Sequence, residues 1–351
     1  MRKTILVLFG GCSSEHGVSL QSAQAVLEHL DRDRYQPLMA GITKTGQWLC
    51  YRGPVSAIGD GSWERDRAVL TPCALAPDRD RHQLLLLGER IGRISFDAAF
   101  PILHGKNGED GTVQGLLELA GVPVIGCGTL SSALCMDKRR AHLLAGLAGV
   151  DVPRGAVFDQ GASPQALEAA GRALGYPLFV KPVRAGSSFG ITRVARPGQL
   201  AGAAQAAFFH DREILLEEAV PGFEVGCAVM GSPDEGELTV GLVDEIQLSG
   251  GFFDFEEKYT LKTSAIHCPA RIAPEKAAEI QQAAKQVYRA LDCRVFARVD
   301  FFLTPEGRVV FNEVNTIPGF TAHSRYPAMM KGIGLDFPVL LDRLVELGAG
   351  A

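Results

Sequence analysis

The 351-residue chain has no run of basic residues, no apolar stretch as long as a membrane-crossing helix, and no Cys-x-x-Cys pair. It also lacks internal repeats and low-complexity tracts. Each absence removes a class. With a formal net charge of −5 and no basic run, neither nucleic acid nor an anionic membrane is expected as the main partner. The apolar opening Ile5 to Phe9 is too short for the core of a secretory signal, and Gly10-Gly11 interrupts it, so a cytoplasmic location is expected. The eight cysteines occur singly, and several, such as Cys227, lie inside apolar runs. They read as buried free thiols, not as zinc ligands or a disulfide framework. What remains is ordinary globular composition, 46% hydrophobic and 21% charged, with length enough for two or three domains.

The chain opens with strand, Gly-Gly loop and helix: Lys3 to Phe9, Gly10-Gly11, then helical spacing over Val18 to Leu27. This is the beginning of an α/β domain. The Pro-, Gly- and charge-rich stretch from about Arg52 to His82 reads as irregular and exposed. Further expected elements are a strand over Phe96 to Leu103, a helix over Gln114 to Ala120 and a short strand over Val122 to Ile125. The first domain is expected to span 1–128. A second unit, 129–220, should hold a helix with Lys138, a helix over Pro164 to Leu174, and strands over Leu178 to Pro182 and Glu213 to Glu218. A third, 221–351, should contain a polar loop over Gly250 to Thr263, a long helix over Pro274 to Leu291 and a β-hairpin.

That hairpin carries the strongest chemical signal. Arg298-Val-Asp300-Phe-Phe-Leu and Phe311-Asn-Glu313-Val-Asn315 flank the turn Thr304-Pro-Glu-Gly307. Alternation puts Glu313 and Asn315 on one face, and the hairpin can bring Asp300 beside them. Hard oxygen ligands on a rigid hairpin suit Mg²⁺, and Arg298 shares the face of Asp300. A solvated polar face is the competing reading; strongly apolar neighbours argue against it. Val180-Lys181-Pro-Val-Arg-Ala-Gly186-Ser187-Ser188-Phe-Gly190 is the second signal: a strand ending in lysine, then a loop whose N–H groups and hydroxyls can approach phosphate. Gly-Lys-Ser/Thr is missing, so it is not a Walker A loop. Alone, it reads equally well as a flexible turn; beside Lys138 and the oxygen cluster, the nucleotide reading prevails. Glu217-Glu-Ala219-Val220-Pro-Gly-Phe-Glu224 ends an apolar strand. It can offer backbone groups to an adenine, or be only a charged strand end before a turn.

Together these motifs resemble the D-alanine–D-alanine ligase family of the ATP-grasp superfamily, over essentially the whole chain. The resemblance rests on Gly10-Gly-Cys-Ser-Ser-Glu-His-Gly-Val-Ser-Leu20, Leu103-His-Gly-Lys-Asn-Gly-Glu-Asp-Gly-Thr112, Met136-Asp-Lys138, the Lys181 loop, Ala297-Arg-Val-Asp300 and Asn312-Glu-Val-Asn-Thr-Ile-Pro-Gly319. Ser249 to Lys262 and Ser324-Arg-Tyr-Pro327 are similar to the vancomycin-resistance branch, especially its G-type D-alanine–D-serine ligases. The implied fold is α/β ATP-grasp: an open N-terminal α/β domain, then two α+β subdomains holding ATP between them. By position, the resemblance implies that Lys138, Lys181 and Ser188 bind ATP phosphates. Glu217, Ala219, Val220 and Glu224 would bind the adenosine. Asp300, Glu313 and Asn315 would hold two Mg²⁺ ions, with Mn²⁺ as a substitute. Glu15 would bind the first D-alanine's ammonium, with His104 nearby. Arg298 and the Gly319 N–H would form the oxyanion hole, and Ser324 would bind the second substrate's carboxylate. Lys258 and Tyr259 would lie on a closing loop, Tyr259 linked to Ser187 and Glu15. A homodimer is also implied.

The implied chemistry is peptide-bond formation through an acyl phosphate, for cell-wall peptidoglycan precursors and glycopeptide resistance. Where housekeeping ligases have leucine, this chain has Arg325; the tyrosine usual at Phe253 is also absent. Arg325 either faces solvent or reshapes the second subsite toward D-serine. Tyr259 stands where ester-forming relatives have histidine, which favours an amine acceptor over D-lactate. The expected order of acceptors is D-serine, D-alanine, D-lactate. A non-catalytic nucleotide-binding module and an ATP-grasp carboxylase are the rival readings.

Overall fold

β1 (Lys3–Gly10) is apolar through its centre because both its faces are covered: Ile5, Leu6, Val7, Leu8 and Phe9 are all fully buried. The computed structural model describes residues 2–186, 189–234, 236–248, 264–321 and 323–350. α1 (His16–His29) crosses from β1 to β2 (Tyr35–Ile42), and β1 pairs in parallel with both β2 and β7 (Ala98–Ile102). Between them in sequence run β3 (Trp48–Tyr51), α2 (Ser56–Gly59), β4 (Leu70–Leu75), β5 (Gln83–Leu87) and β6 (Ile91–Ser95). The sheet order is β6-β5-β4-β3-β2-β1-β7, with antiparallel pairing from β2 outward. Strand order therefore reverses at β1, and a crevice opens beyond the carboxyl ends of β1 and β7, where α/β sheets bind ligands.

After α3 (Thr112–Leu119), α4 (Thr129–Met136) and α5 (Lys138–Leu147), a second sheet of order β10-β9-β11-β8 follows. Its strands are β8 (Gly155–Asp159), β9 (Leu178–Pro182), β10 (Thr192–Val194) and β11 (Glu213–Glu218), and α6 (Pro164–Leu174) and α7 (Leu200–Phe208) pack on it. The third sheet, β14-β13-β12-β15-β16, comprises β12 (Phe223–Gly231), β13 (Thr239–Leu248), β14 (Ser264–His267), β15 (Val295–Leu303) and β16 (Val309–Asn315). α8 (Pro274–Ala290), α9 (Arg325–Lys331) and α10 (Phe337–Ala349) complete the chain. Among the described residues no helix is long and apolar enough to cross a membrane.

Among the described residues, the second sheet's core runs from Leu167 to Leu216, with Phe158 and Ala162 packed against it, and takes in no residue of the other sheets. The first and third sheets each have a cluster of their own and also share one. Ile5, Val7 and Phe9 of β1 share one cluster with Phe296, Phe320, Tyr326, Leu341 and Val345. Lys3 also donates to the Gly350 carbonyl at 2.6 Å, joining the two ends of the chain.

Two expectations need correction. The stretch from Arg52 to His82 is not wholly irregular and exposed: it holds α2 and β4, and Ile58 and Trp63 are buried. Trp63 packs edge-on against Phe9 at 5.0 Å, while the charged neighbours that dominate the composition face solvent. Val122 to Ile125 forms only an isolated bridge, Ala99 to Val124, not a strand. The expected helix with Lys138 is α5, which follows α4 after a break at Asp137, whose side chain caps α5 by accepting from Arg140 N–H. The eight cysteines are free, six of them buried, with Cys12 exposed and Cys268 intermediate.

Candidate active site

The crevice at the ends of β1 and β7 faces the β15–β16 hairpin, and the two enclose a cavity of about 280 Å³. Glu15 and His104 line it from the first sheet, Lys138 from the start of α5, and Arg298, Glu313, Asn315, Gly319, Ser324 and Arg325 from the third unit.

The hairpin register pairs Arg298 with Asn315 and Asp300 with Glu313, then slips by one residue between Asp300 and Phe301. The slip is a β-bulge at Asn312. Strict alternation would put Phe311 on the face of Glu313; the bulge resets the phase, so Val314 and Phe311 both enter the core while Glu313 and Asn315 keep the cavity face. Asp300 lies one layer deeper, fully buried. Arg298 grips it with two donors, Nε to Oδ1 and Nη2 to Oδ2, both at 2.8 Å. Asn315 donates its amide at 2.9 Å, and Arg325 Nη2 stands 3.3 Å from Oδ1. Burial pushes the Asp300 carboxyl upward, but the Arg298 and Arg325 guanidinia outweigh it and hold it below the usual carboxylate range. The donor set is all oxygen, two carboxylates and an amide carbonyl, which fits Mg²⁺. Glu313 and Asn315 are its members at the cavity wall, and Asp300 anchors them from behind.

Arg325 is the clearest departure from the sequence reading. It is not in solvent; its side chain is 8% exposed. Nε and Nη2 donate to Asp244 at 2.7 Å each, and Nη1 donates to Glu224 at 3.1 Å. Glu224, expected at a ribose, is thus held beside the hairpin cluster. Asp244 is fully buried and was missed in the sequence. Its partner is 81 residues away, so only the acidic pair Asp244-Glu245 inside the otherwise apolar β13 marked it.

The second sheet supplies the cations. Lys138 Nζ donates to the Ala185 carbonyl at 2.6 Å and its backbone N–H to Val183 at 3.1 Å, so α5 is tied to the root of the Gly/Ser loop. Lys181 pairs with Glu217 inside the sheet, both buried. The other Glu217 oxygen, Oε2, is buried with no hydrogen-bond partner among the described residues, the His142 ring standing 3.8 Å away. A buried acceptor without a donor beside paired lysines fits a nucleotide base amine. Ala219 commits its N–H to the Pro177 carbonyl at 3.4 Å, so its carbonyl is the group left for an adenine. Val220 follows at the strand's end, half-buried.

On the acceptor side, Ser324 caps α9 by position, and its hydroxyl accepts from Thr321 N–H at 3.0 Å. It lies close to Gly319, where an added Cβ would stand 3.1 Å from its Oγ. Ser187, Ser188, Phe253, Lys258 and Tyr259 lie outside the described residues. Glu109 at the cavity wall was also missed, although its motif was noticed. Lack of solvent, then the nearby Glu15 charge, pushes its carboxyl up to about 8.

A two-stranded wall lined by oxygen donors, a lysine-bearing sheet and an α/β crevice together define an ATP-grasp enzyme. Residues 4–127 match the family described as D-ala D-ala ligase N-terminus, and residues 145–346 match D-ala D-ala ligase C-terminus. The chain belongs to the D-alanine–D-alanine ligase family. The crystal structure of VanG D-Ala:D-Ser ligase from Enterococcus faecalis is 54% identical, with a TM-score of 0.92 over 99% of each chain. Vancomycin B-type resistance protein VanB of Enterococcus faecalis is 45% identical, over 98% of this chain and 97% of its own. A putative D-alanine–D-lactate ligase of Streptomyces coelicolor is also 45% identical, over 99% and 97%. The protein is therefore a ligase of a family that works on D-amino acids with ATP and Mg²⁺.

Proposed function

We propose that this ligase joins D-alanine to D-serine through a D-alanyl phosphate, supplying peptidoglycan precursors that confer glycopeptide resistance. The observation that carries the D-serine reading is Arg325, a buried guanidinium at the cavity wall beside Ser324, locked by Asp244 and Glu224. A polar wall built to hydrogen-bond a hydroxyl discriminates more strongly than an apolar pocket, because its groups go unpaired when the hydroxyl is absent. The likeness to the VanG D-Ala:D-Ser ligase supports the same reading.

In this proposal Glu15 holds the ammonium of the first D-alanine, with His104 behind it. Lys138, Lys181 and Ser188 bind the ATP phosphates, and Glu217, Ala219, Val220 and Glu224 bind the adenosine. Asp300, Glu313 and Asn315 hold two Mg²⁺ ions, replaceable by Mn²⁺. Such ions offset charge as an anionic carboxylate meets an anionic phosphate. The amine of the second substrate, its carboxylate on Ser324, then attacks the carbonyl. Arg298 and the Gly319 N–H stabilise the tetrahedral oxyanion. Acyl phosphates hydrolyse readily, so closure by the segment with Lys258 and Tyr259, Tyr259 reaching Ser187, excludes water. The protein works as a cytoplasmic homodimer.

The test is one competition. Purified protein is given ATP, Mg²⁺ and D-alanine, with D-serine and D-lactate both present, and products are separated by mass. D-Ala-D-Ser should dominate. Mainly D-Ala-D-Ala would return the protein to the housekeeping reading, and mainly ester would reassign it to the depsipeptide branch.

A further inference from the structure

Gly319 sits between two residues whose backbones are held by side chains from the far side of the cavity. Ile317 is gripped twice. Its N–H donates to Glu109 Oε1 at 3.2 Å, and its carbonyl accepts from His104 Nδ1 at 2.8 Å. Phe320 N–H donates to Ser22 Oγ at 3.2 Å. These partners lie 208, 213 and 298 residues away in sequence.

The bonds are mutually consistent. A carbonyl can only accept, so His104 carries its proton on Nδ1, and Nε2 is an acceptor. Ser22 Oγ lies 3.1 Å from that Nε2. Because it accepts from Phe320, its own hydrogen is available for His104. Burial lowers the His104 pKa, which keeps the ring neutral as this tautomer requires. Glu109 Oε2 meanwhile accepts from Gly105 N–H at 2.7 Å, fixing the carboxyl group to the loop that carries His104. Between the gripped residues lies Pro318, with φ fixed and no N–H, so the segment has little freedom left.

We infer that Ser22, His104 and Glu109 form a clamp that sets the position of the Gly319 amide, making Ser22 and Glu109 positioning residues for the acyl-acceptor step. The inference rests on the proposed role of Gly319 as an oxyanion donor. It implies that this donor is in register only when the first and third units are docked.

The test uses full-length Ser22→Ala and Glu109→Gln. Alanine removes the acceptor for Phe320. Glutamine sets an NH2 group, which cannot accept, against one of the two backbone N–H groups, whereas a carboxyl oxygen accepts in either protonation state. Each should lower kcat for dipeptide formation by roughly tenfold to a hundredfold, the scale of a misplaced oxyanion donor. D-alanyl phosphate formation, read by positional oxygen-isotope exchange in ATP with D-alanine alone, should stay within about twofold of the parent, as should the KM for ATP. A merely structural role would depress both half-reactions together, and that result, or unchanged kcat, overturns the clamp. Amide exchange over 316–321 gives a readout that needs no activity. It should accelerate in both variants while exchange over 3–10 holds, and unchanged exchange over 316–321 rejects the clamp. If the parent protein fails to ligate at all, the functional reading falls alone, and exchange still decides the clamp.

Discussion

Three carboxylates converge on Arg325, whose one guanidinium faces Asp244, Glu224 and Asp300. Replacing it should have two consequences, not one. In Arg325→Leu the D-Ala-D-Ala share of a competition assay should rise. The variant should also lose about 3–5 kcal/mol of stability in denaturant unfolding, because buried carboxylates are left without their counter-charge. Arg325→Lys keeps the charge but loses the fork, so it should fall between. An unchanged product ratio in a folded Arg325→Leu would remove the residue from the specificity account. Glu313→Gln is the complementary change at the cavity wall. It should abolish most ligation while the thermal midpoint moves little, since Glu313 lines the cavity and is only half-buried. Near-parental turnover at limiting Mg²⁺ would sink the metal assignment.

At the scale of elements, the root of the Gly/Ser loop depends on Asp211. Its carboxylate accepts from Arg184 N–H and from Arg184 Nη2, both at 2.7 Å, and from Glu213 N–H at 3.2 Å. Burial raises its pKa, but the Arg184 bonds prevail and hold it below the usual value. The native state therefore binds this proton less readily than the unfolded chain. The stabilisation is present above about pH 3.9 and is lost as pH falls through the depressed native value. Asp211→Asn should flatten that part of the acid limb of a stability–pH curve and weaken ATP binding at neutral pH. An acid limb identical to the parent's would contradict this. Elements whose periodicity was local were legible in the sequence. α6 and β9 fall where their apolar spacing puts them, and the Arg298–Asn315 hairpin follows from alternation in two short runs. Features set by distant partners were not. The bulge at Asn312 becomes visible only when Phe301 and Phe311 face one core, and α2 with Trp63 was masked by the charged residues around them. Asp244, Ser22 and Glu109 earn their roles from residues far along the chain, which no local pattern encodes.

Across the whole molecule, the second sheet is the least integrated part: among the described residues its core takes in no residue of the other two sheets, whereas those two share one. Nucleotide should therefore change its dynamics most. Hydrogen exchange over 178–182 and 213–218 should slow on adding a non-hydrolysable ATP analogue with Mg²⁺, while exchange over 3–10 and 337–349 changes little. Equal slowing everywhere would argue against a separately opening second unit. The shared core of the other two sheets also bears on how a cell makes this protein. The strand over 3–10 is translated more than 300 residues before the helix over 337–349, yet its apolar face closes against Leu341 and Val345 of that helix. At about 5–20 residues per second, that interval lasts tens of seconds. Throughout it, the nascent chain presents an incompletely covered parallel strand to solvent, so ribosome-associated chaperones matter more to its yield than the finished fold suggests.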